Sequence, residues 1–205
     1  MHLIERPPRP YRWLFGNAIW RMPHCGRKCV YLTFDDGPIP GVTPWVLDVL
    51  RQHGIRATFF MVGENVLRNP DLLRQVRDAG HVVGNHTLSH MQGMKNSCAD
   101  FVRNVDRGAE ITGSHLFRPP HGLMKPSQIR AVCRHNRLVM YDLVTRDYSR
   151  ILSPDDIVRN VRRYARDGSL IVFHDSLKAW PNLRQALPRA IEWLKRQGYE
   201  FGVLQ

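Results

Sequence analysis

A chain of 205 residues with 43% hydrophobic and 23% charged residues carries enough apolar material for one sizeable core and does not have the composition of a disordered protein. Its formal charge of +12, from 30 Lys+Arg against 18 Asp+Glu, points to anionic surroundings. The basic residues are scattered, as Arg159, Arg162, Arg163 and Arg166 on one predicted helix illustrate, and no nucleic-acid-binding motif accompanies them.

Residues 1–27 read as a lead-in to a domain filling residues 28–205. Trp13, Leu14, Phe15, Ile19 and Trp20 give the lead-in an apolar side expected to pack on that domain, and its arginines keep peripheral association with an anionic membrane open. No run of about 18 apolar residues offers a membrane span, and Met1 to Pro10 lacks the apolar centre of a secretory signal, so cytoplasmic residence is expected. Cys25, Cys29, Cys98 and Cys133 show no framework spacing and read as reduced thiols. His24, Cys25 and Cys29 resemble half of a zinc site, but no second Cys or His pair at matching spacing completes it.

From Val30 onward, short apolar runs alternate with amphipathic segments, the pattern of strands and helices taking turns around a parallel sheet. Strands are predicted at Cys29–Phe34, Ala57–Val62, His81–Gly84, Leu116–Arg118, Leu138–Leu143, Ser169–Phe173 and Glu200–Leu204. Helices are predicted near Thr43–His53, Pro70–Ala79, Ser97–Ile111, Pro126–His135, Pro154–Arg166 and Leu183–Gln197. Asn69 before Pro70 and Ser153 before Pro154 put a capping residue ahead of a proline at the first helical position, and Gly54, Gly80, Gly168 and Gly198 stand where helices should stop. Pro188 conflicts with the last helix and marks either a kink or a later start. The α/β alternation suggests a barrel or strongly curled sheet, with a flat doubly wound sheet as the alternative. Neither a dinucleotide-binding Gly pattern nor a phosphate-loop Lys follows the first strand.

Polar residues recur where these strands end. The first strand runs into Asp35-Asp36 and then the breaker pair Gly37-Pro38; two such close carboxylates need a cation, a basic side chain or a shared proton if they are partly buried. The strand at His81–Gly84 is followed by Asn85-His86-Thr87-Leu88-Ser89-His90, where a helical turn would set both imidazoles on one face. Arg118-Pro119-Pro120-His121-Gly122, Asp147-Tyr148 and His174-Asp175 mark three further strand ends. In a parallel α/β barrel such ends share one rim, and two His plus one carboxylate is a pattern for a catalytic divalent metal.

On these motifs the chain, from about Val30 to Gln205, resembles the polysaccharide deacetylases of carbohydrate esterase family four. The resemblance implies a distorted (β/α)₇ barrel, a single domain. It also implies one divalent metal, Zn²⁺ or another such as Co²⁺ or Ni²⁺, held by Asp36, His86 and His90. Asp35 would be the general base and His174 the general acid, with Arg118 orienting Asp35 and Asp147 paired with His174. The backbone N–H of His121 would meet the developing oxyanion, and Tyr148 would wall the sugar. His121 stands where the family commonly has Tyr, and Tyr148 where it commonly has Trp. The implied activity is removal of N-acetyl groups from N-acetylglucosamine in peptidoglycan- or chitin-like carbohydrate. A lipid- or nucleotide-linked amino sugar at the inner membrane face is the rival substrate, and a non-catalytic basic binding module the rival of a different class.

Overall fold

The computed structural model describes residues 5–16, 18–24 and 26–204, so Cys25 and residues 1–4 of the lead-in lie outside the described residues. A short helix α1 (Arg9–Leu14) precedes β1 (Cys29–Asp35), α2 (Thr43–Gln52), β2 (Thr58–Met61), α3 (Gly63–Arg68), α4 (Pro70–Asp78) and β3 (Val82–Asn85). Then come α5 (Cys98–Thr112), β4 (Leu116–Phe117), α6 (Pro126–Val132), β5 (Arg137–Leu138), β6 (Leu143–Val144), α7 (Pro154–Tyr164), β7 (Ser169–His174), α8 (Trp180–Arg196) and β8 (Glu200–Phe201).

The strands pair in the order β5-β4-β3-β2-β1-β7-β6, and the register is parallel throughout. The two outermost strands, β5 and β6, are consecutive in the chain with only Val139 to Asp142 between them. An extended segment of that length reaches no more than about 18 Å, so the sheet must curl until its edges approach. This is a distorted (β/α)₇ barrel, with β8 added beside the start of β1 through Cys29 and Val30. A flat doubly wound sheet is ruled out by the same connection.

That connection also explains why the strand expected over Leu138–Leu143 is two. Val139 N–H donates to Phe117 O, Met140 N–H to Ile19 O and Asp142 N–H to Leu170 O, so the backbone changes partner from β4 to the lead-in to β7 within four residues. The lead-in fills the seam: Ile19 bridges Val139 in parallel, Arg21 bridges Ser169 antiparallel, and Val144 N–H donates to Glu5 O at 2.9 Å. Phe15 and Trp20 are buried there against Phe101, Phe117 and Met140.

Along β1 the pleat sorts residues by parity. Val30, Leu32 and Phe34 pack outward beneath the helices with Val46, Phe59, Ile171 and Leu187, while Tyr31, Thr33 and Asp35 fall on the opposite, lumen side. Two capping expectations divide. Ser153 Oγ accepts from Asp156 N–H in a complete capping box at the start of α7. Asn69 makes no side-chain cap; its amide donates to Asn65 O and closes α3, a helix the sequence reading did not anticipate. The last helix starts earlier than expected and carries Pro188 in its interior. Burial of Leu183, Leu187, Ile191 and Leu194 on one face, at about 2 kcal/mol for each large aliphatic, offsets the hydrogen bond that proline cannot make.

Candidate active site

Asp35, at the end of β1, lies beside Phe60 of β2 and His174 of β7 in the sheet register. It is 5% exposed and faces Arg118, which is 1% exposed and follows β4. Arg118 Nη1 donates to Asp35 Oδ1 and to Thr33 Oγ1, each at 2.7 Å, and Nη2 donates to Met140 O at 2.8 Å. The guanidinium also lies over the Phe60 ring, 4.1 Å from its centre. Burial pulls the Arg118 pKa down while the Asp35 charge and hydrogen bond push it up, and the net direction is down. A buried arginine with these fixed partners sets the plane of the Asp35 carboxylate. Among the described residues Asp35 Oδ2 has no hydrogen-bond donor.

One residue on, the backbone turns into the left-handed region at Asp36, φ 83°, and the carboxylate swings to a different set of partners. His90 Nε2 lies 3.2 Å and His86 Nε2 3.7 Å from Asp36 Oδ1. The helical turn expected for the two histidines is not formed. His86 to His90 is an irregular loop, with positive φ at Thr87 and His90, and the imidazoles meet with ring centres 5.2 Å apart. The reason lies in the loop's supports. Asn104 Oδ1 accepts from Leu88 and Ser89 N–H, Asn85 Oδ1 accepts from Thr87 N–H, and the first turn of α3 donates from Gly63 and Glu64 N–H to Thr87 and Leu88 O. The approach of α5 depends on Gly108, where a Cβ would fall 2.3 Å from Asn85 Oδ1 and 2.8 Å from Thr87 C.

Asp36, His86 and His90 each offer a donor atom within 4.8 Å of the others. The set fits a divalent cation. It combines two imidazoles with one carboxylate, and His86 Nδ1–H donates to Arg118 O at 2.7 Å, which fixes the tautomer that leaves Nε2 as an electron-pair donor. Burial pushes the His86 pKa down to about 4 and so favours that neutral form, although the nearby Asp35 and Asp36 charges oppose it. Burial would raise the Asp36 carboxyl, but the His90 hydrogen bond and the surrounding imidazoles hold it well below the usual carboxylate range.

The third group sits at the end of β7. His174 Nδ1 is 2.7 Å from Asp147 Oδ1, and His174 N–H donates to Asp147 Oδ2 at 2.8 Å, so the fully buried carboxylate grips both ring and backbone. Burial alone would neutralise the imidazole; the Asp147 charge and hydrogen bond outweigh it and push the His174 pKa up to about 9. Tyr148 stands edge-on to the His174 ring at 4.7 Å, and the Lys178 ammonium lies 5.2 Å from the Tyr148 ring centre. His121, exposed and also at positive φ, packs edge-on against His90 at 5.0 Å and accepts from Gln92 Nε2 at 3.1 Å. Of the non-glycine residues at positive φ, Asp36, His90 and His121 all belong to this one mouth, and strain held in this way clusters where function needs unusual geometry.

Asp35, Asp36, His86, His90, Arg118, His121, Asp147, Tyr148 and His174 thus gather at the ends of strands on one rim. Three supports were not singled out from the sequence. Thr33 and the Met140 carbonyl lock Arg118, and Asn182 Nδ2 donates to Asp147 O and Ser149 O. Asp175, read as one motif with His174, faces away from it: its carboxylate accepts from Gly37 N–H and Thr43 Oγ1 and steadies the turn after Asp36. A Cβ on Gly37 would fall 2.0 Å from Asp175 Oδ2, which is why that position is glycine. Burial pushes the Asp175 pKa up to about 8 despite the Thr43 hydrogen bond. The sequence signal for Asp175 was present in the strand-end pattern, but its partner was not.

His24, part of the incomplete zinc pattern, instead pairs with Asp167, Nδ1 to Oδ2 at 2.7 Å. No helix among the described residues is long and apolar enough to cross a membrane.

The polysaccharide deacetylase family model matches residues 24–138. A peptidoglycan-N-acetylglucosamine deacetylase of Bacillus cereus is 33% identical over 193 residues, covering 91% of this chain and 90% of that protein. A chitooligosaccharide deacetylase of Bradyrhizobium is 35% identical over 158 residues, covering 73% of this chain and 72% of that protein. Among solved structures, the Bc1960 peptidoglycan N-acetylglucosamine deacetylase in complex with 4-naphthalen-1-yl-N-oxidanyl-benzamide superimposes with a TM-score of 0.86 at 30% identity, covering 97% of this chain and 95% of that one. A mutant of BA3943, a CE4 family pseudoenzyme, superimposes with a TM-score of 0.80 at 26% identity, covering 91% and 69%. Since the same barrel serves a pseudoenzyme, activity has to be reasoned from the residues at the rim.

Proposed function

Because this chain belongs to the polysaccharide deacetylase family, we propose that the rim described above hydrolyses the N-acetyl amide of N-acetylglucosamine units in a peptidoglycan- or chitin-like glycan, with Asp36, His86 and His90 holding one divalent metal, Zn²⁺ or alternatively Co²⁺ or Ni²⁺. The observation that carries this reading is the convergence of that donor trio, within 4.8 Å, on a mouth that also holds the Asp35–Arg118 and His174–Asp147 pairs. The trio departs from no part of the expected ligand set, and the two substituted positions, His121 and Tyr148, bear neither base nor acid.

Bound there, the cation would supply Lewis-acid chemistry, making a water more acidic and an acetyl carbonyl more electrophilic. The chain's own groups then divide the proton work. Asp35, held by Arg118 through Oδ1, has Oδ2 available to take a proton from the attacking water. Arg118 keeps that carboxylate in one orientation and balances its charge in a buried place. The backbone N–H of His121, on the strained turn after Pro119-Pro120, would meet the oxyanion as the carbonyl becomes tetrahedral. His174, protonated at neutral pH because of Asp147, gives its Nε2 proton to the departing nitrogen. A C–O bond forms, the C–N bond breaks, and acetate leaves with a free amino sugar. Tyr148 offers an aromatic wall beside the acid for the sugar ring.

The test is release of acetate, matched by new primary amine, from a panel of N-acetylated chitooligosaccharides, peptidoglycan fragments, and lipid- and nucleotide-linked N-acetylglucosamine. Release from the oligosaccharides or peptidoglycan fragments is expected. Silence on every member of the panel, with metal bound, would overturn the assignment; release from the linked sugars alone would move the substrate class to them.

A further inference from the structure

At the opposite end of the barrel, where the strands begin, a cavity of about 290 Å³ is lined by Arg6, Pro7, Arg9, Arg12 and Arg166. Asp142, which is fully buried, holds two of these arginines in place. Arg12 Nη2 and Arg166 Nη2 donate to Asp142 Oδ1 at 2.9 and 2.6 Å; Arg166 Nε and Ser169 Oγ donate to Oδ2, each at 2.8 Å. Four donors saturate a carboxylate. Arg6 reaches no nearer than 3.7 Å, and Arg9 is exposed with no ion pair among the described residues. Four guanidinium groups therefore surround one already satisfied anion, and the cavity carries three uncompensated positive charges.

This cavity is separate from the active site. Ser169 opens β7 and His174 closes it, a separation on the order of 15 Å along the strand. The walls of the cavity come largely from the lead-in, and the same helix carries a second feature. Trp13 is 78% and Leu14 48% exposed on α1. Arg9 and Trp13 are four residues apart and so neighbours on one helical face. A large indole and a leucine left in water beside a pocket of arginines have no role in holding a free inorganic anion. They suit an interface with an apolar layer below an anionic one.

We propose that Arg6, Arg9, Arg12 and Arg166 bind the phosphate group of an anionic phospholipid, and that Trp13 and Leu14 enter the headgroup region beside it, docking the enzyme on a membrane surface through its lead-in. Charge complementarity selects this occupant. The pocket offers the guanidinium groups of Arg6 and Arg9, which make no hydrogen bond among the described residues, beside the positive charges of Arg12 and Arg166, and the chain's net charge of +12 attracts such a surface from a distance.

The full chain is tested by flotation with vesicles of phosphatidylcholine alone and of phosphatidylcholine with phosphatidylglycerol. Binding to the second and not the first is expected, weakening with salt. The double variant Arg6→Gln/Arg9→Gln, which spares the Asp142 partners, should bind about thirtyfold more weakly. Trp13→Ser should bind several-fold more weakly and lose a blue shift of tryptophan emission that the parent shows on the anionic vesicles. Neither variant should alter acetate release from a soluble oligosaccharide. Equal binding to the two vesicle types, or binding to anionic vesicles that survives both variants, would overturn the proposal. Competition by inorganic phosphate for the pocket without any vesicle binding would also overturn it, leaving a free-anion site.

Discussion

Asp35 and Asp142 are both buried carboxylates facing arginine, at opposite ends of one barrel, and the protein treats them differently. Asp142 accepts four hydrogen bonds from Arg12, Arg166 and Ser169. These bonds overcome burial, which would raise its pKa, and hold it down to about 2. Among the described residues the Asp35 carboxylate accepts from Arg118 alone, on one oxygen. A saturated carboxylate ties chain segments together: here the lead-in, the residue before β6 and the start of β7. A carboxylate with an oxygen kept clear of donors can accept a proton in the course of a reaction. Arginine beside aspartate is thus no indicator of role; the number of lone pairs left open is.

This contrast is sharpest in substitutions that remove charge without removing volume. Asp35→Asn should lower acetate release by roughly a thousandfold, in the range of a lost general base, while metal content changes little; because it leaves the buried Arg118 without its anion, it should also lower the denaturation midpoint. Substantial activity in that protein would take the base role from Asp35. Asp142→Asn should cost stability and spare turnover. Arg12 and Arg166 are partly exposed and can rehydrate, so weakening their hydrogen bonds to this buried carboxylate costs about 2 kcal/mol of folding stability, read as a lowered denaturation midpoint, while the folded fraction keeps its turnover. A loss of turnover with no loss of stability would mean the two ends are not divided as described.

A smaller effect separates the third buried pair from both. His174 is raised above its ordinary 6.5 to about 9, so its ion pair with Asp147 contributes stability that is complete below pH 6.5 and lost as pH rises through about 9. Activity that needs the protonated ring should fall over the same alkaline range. Asp147→Asn should shift that limb toward lower pH and reduce turnover at pH 7 by some tens of fold, measured as a pH–rate profile against the parent. An unshifted alkaline limb would remove His174 as the acid.

How much of this was legible in the sequence follows from how far apart the interacting groups are. Long apolar runs such as Val30–Phe34 and Leu170–Phe173 announced their strands, and Ser153 ahead of Pro154 announced the start of α7, because those signals are local. The strand-end residues were found because parallel strands put them on one rim. The break at Val139 to Asp142 was not legible, since it depends on Ile19 supplying a hydrogen-bond partner from far away in the chain. The spacing of His86 and His90 suggested a helical turn, and only Asn104, Asn85 and the start of α3 make it a strained loop instead. Thr33 and Asp142, and the partners though not the position of Asp175, were hidden for the same reason: each is an ordinary residue until its distant partner is known.

The central claim is that Asp36, His86 and His90 together hold the metal on which deacetylation depends, and it is tested most directly by metal analysis paired with acetate release. The parent should bind about one equivalent of Zn²⁺ or Co²⁺, lose acetate release on chelation and regain it on adding metal back. Asp36→Ala, His86→Ala and His90→Ala should each lose both metal and activity, whereas His174→Ala should keep the metal and lose activity alone. Acetate release that persists after chelation, or full metal content in the His86→Ala protein, would contradict the account.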